Sequence, residues 1–139
     1  METSIITGVL LGLALVLGWR LAERMIWPVG RIAPERLKQR LDRREDLLLL
    51  DVRTAGEFTG PDGHIRGSVN VALDALGGKL KRAKEEIRAF ADEEVIVVCR
   101  SGARATTAAR KLKRAGVGNI AILDGGMNAW NGKGYPKAR

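Results

Sequence analysis

Cys99 is the one cysteine of the chain, and it stands at the end of Val95-Ile96-Val97-Val98, a β-branched run that reads as a buried strand. After it come Arg100, Ser101, Gly102, Ala103 and Arg104, and a helical pattern rich in Ala, Lys and Arg runs from about Ala103 to just before Gly116. A thiol between the carboxyl end of a strand and the amino end of a helix sits where open parallel sheets bind ligands. There the helix dipole favours a thiolate. Gly102 lets the backbone bend tightly, so successive N–H groups can turn inward as an anion-binding nest with two guanidiniums beside them. The expected chemistry is nucleophilic: Cys99 attacks, and Arg100, Ser101, Gly102, Ala103 and Arg104 cradle an anionic substrate. Cysteine also packs as a small hydrophobe, but packing does not call for arginines one and five positions later with serine and glycine between them.

The elements that must position this loop follow from the pattern around it. Short apolar runs alternate with helical stretches from Arg31 onward, as in an α/β domain with an open, mostly parallel sheet flanked by helices. Pro34 opens a helix over 34–43, with Leu37 and Leu41 four apart on one face; 47–50 reads as a buried strand ending at Asp51. A short helix over 54–58, a turn at Gly60-Pro61-Asp62-Gly63 and a brief strand over 68–71 come next. The spacing of Leu80, Ala83, Ile87 and Phe90 predicts a helix over 79–90. A last strand, 120–123, leads through Asp124-Gly125-Gly126 to a short helix bearing Trp130.

The 139 residues carry 24 Lys+Arg against 16 Asp+Glu, a net charge of +8, and fit one ordinary domain. No repeat or long polar tract occurs, and one cysteine and one histidine, His64, make neither a disulfide scaffold nor a zinc site; no metal or cofactor is expected. The basic residues of 79–88 and 110–114 lie on helical patterns with no aromatic residues among them, so solvated helix faces are expected, not nucleic-acid binding. Residues 5–19 are apolar and uncharged, followed by Arg20, Arg24 and Arg31, with Trp19 and Trp27 on the same flank. No basic residue precedes the run and no small-x-small site follows it, so an uncleaved single-pass membrane anchor is expected over a signal peptide. The division expected is 1–30 for the anchor and juxtamembrane segment and 31–139 for the domain. The positive-inside rule places that domain in the cytoplasm, at the inner membrane of a cell.

Residues 31–135 resemble the single-domain rhodaneses, a sulfurtransferase family. The resemblance rests on an ordered set: Leu50-Asp51-Val52-Arg53 with Glu57-Phe58, Gly63-His64-Ile65-Arg66-Gly67-Ser68 with Asn70, the loop from Cys99 to Arg104, Asp124-Gly125-Gly126 with Ala129-Trp130, and Gly134-Tyr135-Pro136. With the apolar segment in front, the chain looks like the membrane-anchored bacterial members. The resemblance implies that Cys99 takes the outer sulfur of a small anionic donor such as thiosulfate as a persulfide and hands it to cyanide or a thiol, protein thiols included. Arg100 and Arg104 would attract the dianionic donor. Asp51, Arg53 and Glu57 are expected to form a supporting network at the end of the sheet, and His64 and Trp130 to be scaffold. Arg66 and Ala72 stand where the family commonly has proline, and the turn between Phe58 and Gly63 looks about two residues longer than usual.

Two other classes compete. Cell-cycle dual-specificity phosphatases share the fold but place five residues between cysteine and arginine, where this chain has four between Cys99 and Arg104. The tighter loop favours sulfur. A membrane-tethered docking or sulfur-relay module is the other alternative; a pure adaptor does not need the cysteine and both arginines.

Overall fold

The computed structural model describes residues 2–26, 29–89 and 91–139. Its sheet holds β1 (Gly30–Ile32), β2 (Leu48–Asp51), β3 (Val69–Asn70), β4 (Glu94–Val98) and β5 (Asn119–Leu123), all parallel, in the order β1-β5-β4-β2-β3. The helices are α1 (Glu2–Ile26), α2 (Pro34–Asp42), α3 (Ala55–Phe58), α4 (Leu73–Arg82), α5 (Lys84–Ala89), α6 (Ala103–Ala115) and α7 (Gly126–Gly132). Alternate strand residues face opposite ways and both faces are covered, which is why β4 is apolar at every position from Val95 to Val98. Leu50, Val95, Val97, Ile120 and Ile122 pack with Ala105, Ala108, Ala109 and Leu112 of α6 and Leu76 of α4. Leu49, Ile96, Val98 and Leu123 pack on the other face with Leu37 of α2 and Met127 and Trp130 of α7. The run of alanines in α6 thus serves close approach to the sheet. The helix ends at Gly116, whose φ of +104° closes a Schellman-type turn in which the Val117 N–H donates to Leu112 O at 3.1 Å.

The sequence pattern and the fold part company in three places. β1 carries no strand pattern, because Gly30-Arg31-Ile32 has no apolar alternation; its pairing with Ala121, Ile122 and Leu123 of β5 makes it a strand. The helix expected over 79–90 is instead two: α4 begins at Leu73, and the backbone leaves helical geometry at Ala83 before α5. Leu73, Leu76 and Leu80 form a stripe against α6 that outweighs the roughly 1 kcal/mol each that Gly77 and Gly78 cost a helix. The expected inward face of Ile87 and Phe90 lies outside the described residues, as does that of Trp27. Ala72, at the N-cap of α4, holds φ −56° and ψ 142°, a conformation proline shares, so the helix enters as it would behind the family's proline.

The third difference concerns the N-terminus. Residues 5–19 are helical within α1, and their ten large apolar side chains from Ile5 to Trp19 are 53–70% exposed. Among the described residues, however, no helix is long and apolar enough to cross a membrane. The fold thus shows the helix and does not show the expected transmembrane span.

Candidate active site

With every strand parallel, Ile32, Asp51, Val98 and Leu123 end on one edge of the sheet, and the loops that follow them meet there. Cys99 follows β4, a central strand, and is 1% exposed. The Gly102 N–H donates to its Sγ at 2.9 Å, so the amino end of α6 is turned onto the sulfur. Gly102 caps that helix at φ +110°, a left-handed conformation that favours glycine, and the Thr106 hydroxyl donates to Gly102 O at 3.2 Å to hold it.

The far side of the loop is fixed by α7. The Met127 N–H donates to Cys99 O at 2.8 Å and the Asn128 N–H to Arg100 O at 3.0 Å. Because peptide groups are planar and trans, with C=O and N–H opposed, the N–H groups of Arg100 and Ser101 point to the side away from α7. The carbonyls of Cys99 and Arg100 are thereby engaged, and the N–H groups of Arg100 and Ser101 face the other side. This contact requires Gly126: a Cβ there would stand 2.3 Å from Cys99 O and 2.7 Å from Arg100 O, at a φ of +56°. The sequence pattern places Asp124-Gly125-Gly126 between the last strand and a short helix and in the family's set of motifs, without a role in holding the loop. The legible signal for its role is a glycine pair directly after a buried strand.

Arg104 departs from the expectation that its side chain is presented to the substrate. Its two Nη atoms donate to both carboxylate oxygens of Glu57, at 2.7 and 2.8 Å. Glu57 also closes a capping box with Thr54 at the start of α3. The network expected of Asp51, Arg53 and Glu57 therefore divides: only the backbone carbonyl of Glu57 meets Arg53, at 3.3 Å, and its side chain belongs to Arg104. Forty-seven positions separate Glu57 from Arg104, so no local pattern reveals the pair. Hydrogen bonding from Arg104 lowers the Glu57 carboxyl to about 2, against some desolvation. The Arg104 guanidinium is raised above its ordinary value, chiefly by Glu57, with the nearby Cys99 and Asp51 adding to the rise.

A depressed acid stabilises the fold above its unfolded pKa and ceases to do so as pH falls through its folded value. Wild type is accordingly expected to exceed Glu57→Gln in stability at pH 7 by about 1 kcal/mol, a modest figure because both side chains are roughly a third exposed. The difference should shrink below pH 4.5 and close near pH 2; urea unfolding of both proteins across that window measures it.

The other motif residues are scaffold. Arg53 is 1% exposed and its Nη2 donates to Asp51 Oδ2 at 2.8 Å and to Gly63 O at 2.7 Å, tying the end of β2 to the turn before His64. The Asn70 amide donates to Asp51 O and Arg53 O. His64 stacks on Phe58 with ring centroids 3.7 Å apart, and its Nδ1–H donates to Phe58 O at 2.8 Å. Trp130 Nε1–H donates to Pro136 O at 2.9 Å. Of the expected site residues, Arg100, Ser101 and Ala103 are exposed on the loop, Gly102 is buried against the sulfur and Arg104 is half-buried beside Glu57.

The site thus combines a parallel α/β sheet with a cysteine loop after a central strand and the start of a helix turned onto its sulfur. The chain is a member of the rhodanese-like domain family, whose pattern matches residues 33–133. It is 33% identical over 108 residues to a sulfurtransferase of Allochromatium vinosum, covering 78% of this chain and 94% of that one. It is 31% identical over 109 residues to a dual-specificity phosphatase of Arabidopsis thaliana, covering 71% of each. The crystal structure of thiosulfate sulfurtransferase from Pseudomonas aeruginosa matches with a TM-score of 0.67 at 27% identity, over 85% of this chain and 21% of that one. The family and its sulfurtransferase-named relatives point to a transferase.

Proposed function

We propose that the chain is a sulfurtransferase working through a Cys99 persulfide. The Cys99 thiolate attacks the outer sulfur of a donor such as thiosulfate; a new S–S bond forms as the donor's S–S bond breaks, and sulfite leaves with the bonding pair. Cyanide or a thiol then attacks the outer sulfur and restores the thiolate. No oxidant or metal enters the balance. The observation that carries this reading is the 2.9 Å contact of the Gly102 N–H with Sγ, in a loop whose carbonyls at Cys99 and Arg100 are turned away onto α7. That arrangement aims a hydrogen-bond donor at the sulfur and, after transfer, at the anionic persulfide. With one cysteine in the sequence, the acceptor is an outside molecule.

The similarity to a phosphatase supports a second reading. Against it stand the four-residue spacing and the engagement of both Arg104 Nη atoms by Glu57, which leaves that fork turned from a phosphate. Purified protein given thiosulfate and cyanide should produce sulfite and thiocyanate and should leave aryl phosphates intact; the opposite result overturns the proposal.

We further propose that α1 seats the domain at the inner membrane, with the domain in the cytoplasm. Ten large apolar side chains more than half exposed are costly in water, and Arg20, Arg24 and Arg31 follow them. An epitope tag placed before Met1 should be digested by protease added to intact spheroplasts. A tag that stays protected contradicts this orientation.

A further inference from the structure

Arg31, read from the sequence only as a charge following the apolar segment, lies beside the active loop. It sits on β1 opposite Ile122 of β5, next to the turn that leads into α7. Its Nε–H donates to Asp124 Oδ1 at 2.5 Å, and among the described residues its Nη atoms have no protein partner. One of them, Nη2, is 3.7 Å from the point a Cβ on Gly102 would occupy. With Gly102 N 2.9 Å from Sγ, that places Nη2 within about 9 Å of the sulfur. Arg104 is drawn toward Glu57 instead, whose two carboxylate oxygens accept from one N–H of each of its Nη atoms. The absent side chain at Gly102 keeps the gap beneath Arg31 open.

We infer that Arg31 is the specificity-determining residue for an oxyanion-bearing sulfur donor, its Nη groups receiving the sulfonate oxygens while the outer sulfur meets Cys99. A thiosulfate in contact with Sγ carries its oxygens ~6 Å from it, which is one hydrogen bond of ~2.9 Å short of that range. Asp124 holds the guanidinium by its Nε edge and leaves the opposite fork to the donor. This inference rests on the sulfurtransferase reading and adds to it where donor selection resides. The acceptor step has no sulfonate and makes no use of Arg31.

The two half-reactions separate the possibilities. Loading of the full-length protein by thiosulfate can be followed by intact mass, and discharge of the loaded protein followed with neutral 2-mercaptoethanol. Arg31→Gln should raise the half-saturating thiosulfate concentration about tenfold, with the saturated loading rate and the discharge rate within about twofold of wild type. Arg31→Lys should recover part of the saturation, since it restores charge without the fork. An unchanged thiosulfate dependence overturns the inference, as does equal slowing of both half-reactions, which makes Arg31 a support of the loop. If wild type itself takes no sulfur from thiosulfate, the sulfurtransferase reading fails and this inference with it. A wild type that loads while Arg31→Gln is indistinguishable from it discards the inference alone.

Discussion

Cys99→Ser is expected to abolish sulfur transfer, lowering turnover by at least about 10³-fold, while the protein keeps its fold. A serine hydroxyl is too weak an acid to supply the nucleophile, and oxygen forms no stable counterpart of the persulfide. The loop itself loses little. The Gly102 N–H that donates to Sγ at 2.9 Å can donate to Oγ, and the carbonyls of Cys99 and Arg100 remain bound by Met127 and Asn128. The melting temperature should therefore move by only about 2–4 °C. Thermal unfolding with the thiocyanate assay checks both halves, and retained transfer in the variant removes Cys99 from the mechanism.

Arg53→Ala is expected to have the largest effect on stability, a loss of about 3–5 kcal/mol in urea unfolding. Asp51 is completely buried, and Arg53 meets its carboxylate through Nε at 3.0 and 3.2 Å and Nη2 at 2.8 Å. Truncation leaves that charge unpaired, opens a void and strips the donor from Gly63 O. The cost belongs to the uncompensated charge more than to the pair. Removing the charge as well, in Asp51→Val/Arg53→Ala, should accordingly recover about half of the loss. A single variant that loses less than about 1 kcal/mol contradicts this assignment of Arg53 as the tie between β2 and the His64 turn.

What the sequence disclosed was what is encoded locally. The β-branched run into Cys99, the glycine at the start of α6 and the Ala-rich face of that helix are read from neighbours in the chain, and the fold places them as the periodicity indicates. The limits appear where partners are distant. β1 has no pattern of its own and exists through β5, while α4 tolerates two glycines because its leucine stripe meets α6. The sequence groups Glu57 with Asp51 and Arg53, and the fold gives its side chain to Arg104. Gly126 lies close against Cys99 and Arg31 reaches toward Gly102, placements that only the meeting of three strand ends creates.

The central claim is that Cys99 carries sulfur, and the intact mass of the purified protein before and after thiosulfate tests it most directly. Wild type should gain one sulfur, about 32 Da, lose it on addition of cyanide, and show no such change as Cys99→Ser. A wild-type mass that thiosulfate leaves unaltered, or an equal gain in the serine variant, contradicts the account.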